Sequence, residues 1–322
     1  MISNIYLRVD GNSTIGLGHV FRCLAIAQML DMYKIHFVCK EIEATTKKLI
    51  ESYSFLLTEI RSESEFLGML NCNDIVIIDH YELGTTYQMS IKAKGCKLVC
   101  IDDLHSREFY ADLIINPAPG ISEDHYKAQP YTKFALGPNY ALLRPMFLQN
   151  KAVKRLNGEI EHVFICFGGS DPKNLTLKIT EIACKVQSFS KIYIVTGPAY
   201  IFQDTLKEIV ESDRRISYVH SASESQIVEF MLDSDLAVVP SSGVLFEALA
   251  LGCDVISSYY IDNQRGIYEG MKKLNAGVFL ESFDNLDVIR FEQCLVKFKT
   301  CTYRKIIDGL SVLRIQTLIN EL

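Results

Sequence analysis

One histidine in this sequence is delivered to a helix start by two glycines, in the segment Asp10-Gly-Asn-Ser-Thr-Ile-Gly16-Leu-Gly18-His19-Val-Phe-Arg22. An apolar run, Ile5 to Val9, precedes it, and a helical pattern begins near Val20. Gly16 and Gly18 allow a tight turn and the close approach of a ligand. The positive end of a helix disfavours an imidazolium at position 19. A positioned, uncharged imidazole is what a general base requires. Taken alone, the segment is explained equally well as a glycine turn whose histidine caps or packs.

Two later loops are suited to anions. Cys166-Phe-Gly168-Gly169-Ser170-Asp171-Pro-Lys-Asn174 follows a strand-like run and precedes a helical pattern. Its paired glycines expose N–H groups, Ser170 adds a hydroxyl, and the helix start completes a site suited to a diphosphate. Pro240-Ser241-Ser242-Gly243 repeats the arrangement, and Glu247 follows in the first turn or so of an apolar helix. Glu247 is either a favourable dipole partner or a bidentate acceptor for the two hydroxyls of a ribose. Two anion-ready loops and a hydroxyl-binding acid together point to a nucleoside diphosphate. Neither loop meets GxxxxGK[ST] or GxGxxG, which disfavours a nucleotide triphosphatase of that type and a flavin or nicotinamide enzyme.

Asp79-His80-Tyr81 and Asp102-Asp103 end two further strand-like runs. Tyr81 is placed to donate to a sugar or to a bridging phosphate oxygen. Turn chemistry is the favoured reading of the two adjacent aspartates. Asn263 and Gln264 offer amides to sugar substituents, with helix capping as the alternative.

These loops need strands that share an edge. Runs at Ile5–Val9, Ile35–Cys39, Leu56–Ile60, Ile75–Asp79, Lys97–Ile101 and Leu113–Ile115 alternate with helical patterns. So do runs at His162–Phe167, Lys191–Thr196, Ile216–Val219, Leu236–Val239 and Val255–Ser257. Such alternation predicts an α/β chain of parallel strands and crossover helices. The polar, basic stretch Gln149–Gly158 divides the series into expected domains 1–150 and 151–322, two Rossmann-like units facing across a cleft. A last helix from about Tyr303 to Leu322 could pack back on the first. Ligands in open parallel sheets bind at strand carboxyl ends.

Composition narrows the partners. The 322 residues are 48% apolar and 22% charged, with a net charge of −6. No basic excess exists to neutralise nucleic-acid phosphates. The ten cysteines are irregularly spaced without a CxxC pair, which reads as reduced thiols in a cytoplasmic protein. No apolar run approaches the ~20 residues of a membrane span. A monomer without membrane insertion is expected.

Together the loops resemble the UDP-sugar hydrolases of pseudaminic acid biosynthesis. The matching pieces are Arg8-Val-Asp10, Ile15-Gly-Leu-Gly-His19 with Arg22, Ile78-Asp-His-Tyr81, Tyr140-Ala-Leu-Leu-Arg144, Phe167-Gly-Gly-Ser-Asp171 with Asn174, Glu247-Ala-Leu249 and Asn263-Gln264. The resemblance runs to about Gly277 and departs after Gln264, where Arg265 and Gly266 stand. It implies the two-domain GT-B fold, related to the N-acetylglucosaminyltransferase that makes lipid II. The implied reaction cleaves UDP-2,4-diacetamido-2,4,6-trideoxy-β-L-altropyranose to UDP and the free 6-deoxyhexose, water attacking C1 with inversion. By that resemblance His19 is the base, Tyr81 and Asp10 are further catalytic candidates, and Gly18, Arg22, Asn263 and Gln264 face the sugar. Gly168, Gly169, Ser170, Asp171, Ser242, Gly243 and Glu247 face UDP. No metal or other cofactor is expected. The alternative is a GT-B glycosyltransferase passing a UDP-activated amino sugar to an acceptor; the first half shows no amphipathic basic helix of the kind that seats on lipid.

Overall fold

The computed structural model describes residues 4–12, 17–150, 159–298 and 306–322. Gly16, the linker stretch 151–158 and Tyr303 lie outside them. The chain divides into two units, residues 1–145 with 309–322, and residues 146–308.

In the first unit, strands and helices alternate: β1 (Asn4–Val9), α1 (Gly18–Met29), β2 (Lys34–Cys39), α2 (Ala44–Ser52), β3 (Leu56–Glu59), α3 (Glu63–Met69), β4 (Ile75–Asp79), α4 (Thr85–Ala93) and β5 (Lys97–Ile101). Next, β6 (Glu108–Phe109) and β8 (Lys127–Ala128) form a small parallel pair, while β7 (Leu113–Asn116) and β9 (Lys133–Leu136) extend the main sheet. That sheet has the order β3-β2-β1-β4-β5-β7-β9 and is parallel throughout. Every residue of β4 is buried, as expected of a strand covered on both faces. The strand order reverses between β1 and β4, and such a switch point opens a crevice at the carboxyl edge. Gly11, just past β1, is required by packing: a Cβ there would meet Val20 Cγ2 at 2.4 Å.

The second unit repeats the plan after α5 (Pro145–Gln149). Its elements are β10 (His162–Ile165), α6 (Leu175–Ala183), β11 (Lys191–Thr196), α7 (Gln203–Ser212), β12 (Ile216–His220), α8 (Glu224–Leu232), β13 (Leu236–Pro240), α9 (Gly243–Ala250), β14 (Asp254–Tyr259), α10 (Arg265–Lys273), β15 (Val278–Ser282) and α11 (Val288–Lys297). The sheet order is β12-β11-β10-β13-β14-β15, again all parallel, with its switch point between β10 and β13. Val163, Ile165, Ile194, Val238 and Ile256 lie in its core.

The last helix, α12 (Ser311–Asn320), belongs to the first unit and is shorter than its sequence pattern. It buries Ile315 and Ile319. Gln316 Nε2 donates to Met29 O at 2.7 Å, filling an orphan carbonyl at the end of α1. Beside the short pair β6 and β8 and helices α5 and α11, the elements not read from sequence include β9 and β15, the strands that extend the two main sheets. Both strands are sheet edges, where half-exposed residues interrupt the apolar run. The described cysteines are all free thiols. No helix among the described residues is long and apolar enough to cross a membrane.

Candidate functional site

The switch point of the first sheet collects its charged residues. Asp79 ends β4 opposite Val9 of β1, and α1 begins beside them with no side-chain cap and no acid in its first turn. His19, the second residue of α1, is buried. Its Nδ1 lies 2.5 Å from Asp79 Oδ1. Arg22, one turn further along α1, donates from Nε to Asp79 Oδ2 at 2.8 Å and from a terminal nitrogen to Oδ1 at 2.7 Å. Its other terminal nitrogen donates to Asp103 Oδ2 at 2.9 Å, an oxygen that also accepts the Tyr81 hydroxyl at 3.0 Å. The His19 and Tyr81 rings meet edge-on, centroids 4.6 Å apart.

This geometry assigns the imidazole tautomer. A guanidinium nitrogen of Arg22 also lies 2.9 Å from His19 Nδ1, but Nδ1 cannot accept from Arg22 and donate to Asp79 at once. The ionised carboxylate is the nearer and stronger partner, so Nδ1 carries the proton and Nε2 is the nitrogen able to take one. Burial works to raise the Asp79 carboxyl, yet the Arg22 charge and the hydrogen bonds from His19 and Arg22 outweigh it and hold the group below its ordinary range. Asp79 stays an anion that orients the ring and stabilises it when protonated, the division of labour of a histidine–carboxylate pair.

Several expected residues occupy other posts. Arg22, expected to face the sugar, spends its guanidinium on Asp79 and Asp103. Asp10, expected among the catalytic groups, is a girder: its two oxygens accept from Arg8, Lys40 N, Glu41 N and His80. Tyr81 directs its hydroxyl proton to Asp103 rather than outward. Asp102 follows the turn reading, accepting from His105 N and Tyr126. Asp103 does not, since it joins the site. Gly18 is exposed, and a Cβ added there would meet nothing within 4 Å.

In the second unit the loops after β10 and β13 flank the other switch point. Gly168 takes φ +84°, and the backbone of Gly169 packs so closely on Gly197 that a Cβ on Gly197 would lie 2.4 Å from it. Ser170 is half-buried beside them. Asp171 is buried and caps α6, accepting from Leu175 N at 2.9 Å and Thr176 N at 2.8 Å. That helix start is therefore already supplied with a carboxylate, contrary to the expectation that it and Asp171 serve a phosphate. The start of α9 differs: Ser242 makes no side-chain cap, and no acid lies in the first turn. Gly243 is exposed, with open space where a Cβ would stand. Glu247 lies in the second turn rather than the first, four residues after Gly243 and so on the same helix face.

The amides separate. Gln264 is buried, its carbonyl accepting from Tyr260 N at 3.0 Å. Asn263 is exposed. The triplet Asp233-Ser-Asp235 has the spacing of a carboxylate metal motif, but it precedes β13, at the opposite edge of the sheet. There Asp235 accepts from Glu161 N and His162 N. Among the described residues, no group of three or more His, Cys, Asp or Glu is placed to hold a metal.

Comparison with known proteins agrees with this architecture. No family model matches the chain. It is 30% identical over 288 residues to the uncharacterized protein MJ1062 of Methanocaldococcus jannaschii, covering 84% of this chain but only 59% of that longer protein. It is 27% identical over 267 residues to the UDP-2,4-diacetamido-2,4,6-trideoxy-β-L-altropyranose hydrolase of Campylobacter jejuni, covering 81% of this chain and 93% of the relative. Among solved structures, MurG of Acinetobacter baumannii superposes with a TM-score of 0.64 at 12% identity, over 99% of this chain and 100% of that one. The fold is GT-B.

Proposed function

We propose that this chain is a nucleotide-sugar hydrolase that cleaves UDP-2,4-diacetamido-2,4,6-trideoxy-β-L-altropyranose, or a closely related UDP-6-deoxy amino sugar, to UDP and the free hexose. The observation that carries the reading is the His19–Asp79 pair at the first switch point. The likeness to the Campylobacter jejuni hydrolase supports the choice of substrate.

His19 Nε2 takes a proton from water as the oxygen attacks C1 from the face opposite UDP, which inverts the anomeric configuration. Asp79 holds the tautomer and stabilises the imidazolium as it forms. Arg22, itself anchored on Asp103, keeps Asp79 ionised and in place. UDP belongs to the second unit. Backbone N–H groups at Gly168, Gly169 and Ser170, and the uncapped start of α9 at Ser242 and Gly243, meet the phosphates. They favour the charge that develops as the C1–O bond breaks. Glu247, one turn below Gly243, accepts from the ribose hydroxyls, and exposed Asn263 meets a sugar substituent. By this reading the chain serves pseudaminic acid biosynthesis.

The test is incubation of the purified protein with a panel of UDP-sugars, followed by mass spectrometry and proton NMR without any acceptor present. The proposal expects UDP and a free hexose of inverted configuration from the 2,4-diacetamido-L-altro compound. Turnover only after an acceptor is added would replace hydrolysis by glycosyl transfer. Formation of an isomeric UDP-sugar would replace it by epimerisation.

A further inference from the structure

The side chain between Asp79 and Tyr81 makes no hydrogen bond to the groups assigned to the reaction, yet it is tied at both ends of its ring. His80 Nδ1 accepts from Glu82 N at 3.0 Å. With Nδ1 accepting, the ring proton sits on Nε2, 3.1 Å from Asp10 Oδ2, and is donated there. Asp10 is itself immobilised. Arg8, 1% exposed, grips it with both terminal nitrogens, and Lys40 N and Glu41 N donate to its Oδ1 as well. Arg8 is anchored in turn by Glu63 of α3 at 2.6 Å, and Glu63 accepts from Tyr87 of α4 at 2.6 Å. A chain of Tyr87, Glu63, Arg8 and Asp10, buried at Arg8 and Asp10, therefore ends on the His80 ring.

We infer that His80 is a positioning residue for the reaction proposed above, fastening the Asp79–Tyr81 segment to Asp10 so that Asp79 meets His19 Nδ1 and Tyr81 stands edge-on to the His19 ring. The inference rests on that reading of His19 as the base. Two site residues flank His80 directly, so any drift of its backbone moves the carboxylate that sets the His19 tautomer. A misplacement of about 1 Å at a catalytic group costs on the order of 10²-fold in rate. The same ring explains why Asp10, so close to the chemistry, has no oxygen left for it: it is the fixed point.

The two bonds of the ring can be separated. In His80→Asn the side-chain oxygen reproduces the acceptor for Glu82 N but does not reach Asp10. In His80→Gln the longer amide restores a donor to Asp10. Steady-state kinetics on the UDP-sugar should show kcat lowered about 10- to 100-fold in His80→Asn and His80→Ala, with KM changed less than about twofold. His80→Gln should recover most of kcat. A second readout needs no substrate: proton NMR of the unliganded protein, following the downfield imidazole N–H of His19 bound to Asp79. That signal should move or broaden in His80→Asn and His80→Ala and return in His80→Gln, and it decides the inference even if the wild-type protein hydrolyses no UDP-sugar. Wild-type kcat and an unmoved His19 resonance in His80→Asn would overturn it. So would a loss in all three variants confined to thermal stability.

Discussion

Asp79 and Asp103 hold the same guanidinium: Arg22 makes a two-pronged contact with Asp79 and a single one with Asp103. Asp79 is 1% exposed, and Arg22 is mostly buried. The arrangement makes Arg22 first a counter-ion, and this has a consequence for stability without any ligand. Arg22→Met leaves the Asp79 carboxylate buried beside His19 alone. Loss of one partner from such a pair costs about 3–5 kcal/mol, and urea unfolding of the free protein measures it. A variant as stable as wild type, with only weakened sugar binding, would restore Arg22 to the substrate.

The tautomer assignment predicts the effect of Asp79→Asn. An Asn there can turn its amide toward Nδ1 and place the ring proton on Nε2, the nitrogen needed as base. In hydrolytic triads the equivalent change lowers kcat on the order of 10⁴-fold with geometry kept. Kinetics together with circular dichroism, to establish that the fold survives, measure the effect. A loss below about tenfold would show that Asp79 does not orient the base.

Acid should weaken the first unit through its buried carboxylates. Asp79 and Asp10 are both held below the ordinary carboxylate range. For Asp10, burial works upward, but the hydrogen bonds from His80 and Arg8 outweigh it. A depressed folded-state pKa stabilises the native state at pH above the unfolded value of about 3.9. That stabilisation is lost as pH falls through the lower folded value. Urea unfolding between about pH 6 and pH 3 should give a falling free energy, with a shallower slope in Asp79→Asn. Equal slopes would show that Asp79 has no depressed pKa.

Helix α12 is part of the first unit's core rather than a tail. Ile315 is fully buried, so Ile315→Ala should cost about 2–5 kcal/mol, read as a lowered urea midpoint. An unchanged midpoint would mean that α12 is dispensable to that unit.

Much of this architecture is legible in the amino-acid sequence. Buried parallel strands such as Ile75–Asp79 are apolar on both faces and announce themselves as short continuous runs. The edge strands Lys133–Leu136 and Val278–Ser282 carry no such signal, because only part of each is covered. At the site, the Ser241-Ser242-Gly243 run singles out Gly243, and glycine spacing singles out His19. It could not supply the partner of His19, which stands 60 positions away in sequence and is set beside it only by the pairing of β1 with β4. For the same reason an aspartate suited to a turn, Asp103, proved to bind Arg22 and Tyr81, while Asp171, expected on a phosphate, caps its own helix. Residue type shows what a side chain can bind; which neighbour claims it first depends on the fold.

The most direct measurement compares wild type and His19→Ala for UDP release from the 2,4-diacetamido-L-altro UDP-sugar, with UDP affinity measured in parallel by calorimetry. The account predicts that His19→Ala releases no UDP above background while binding UDP as tightly as wild type. Release at the wild-type rate by His19→Ala would contradict it.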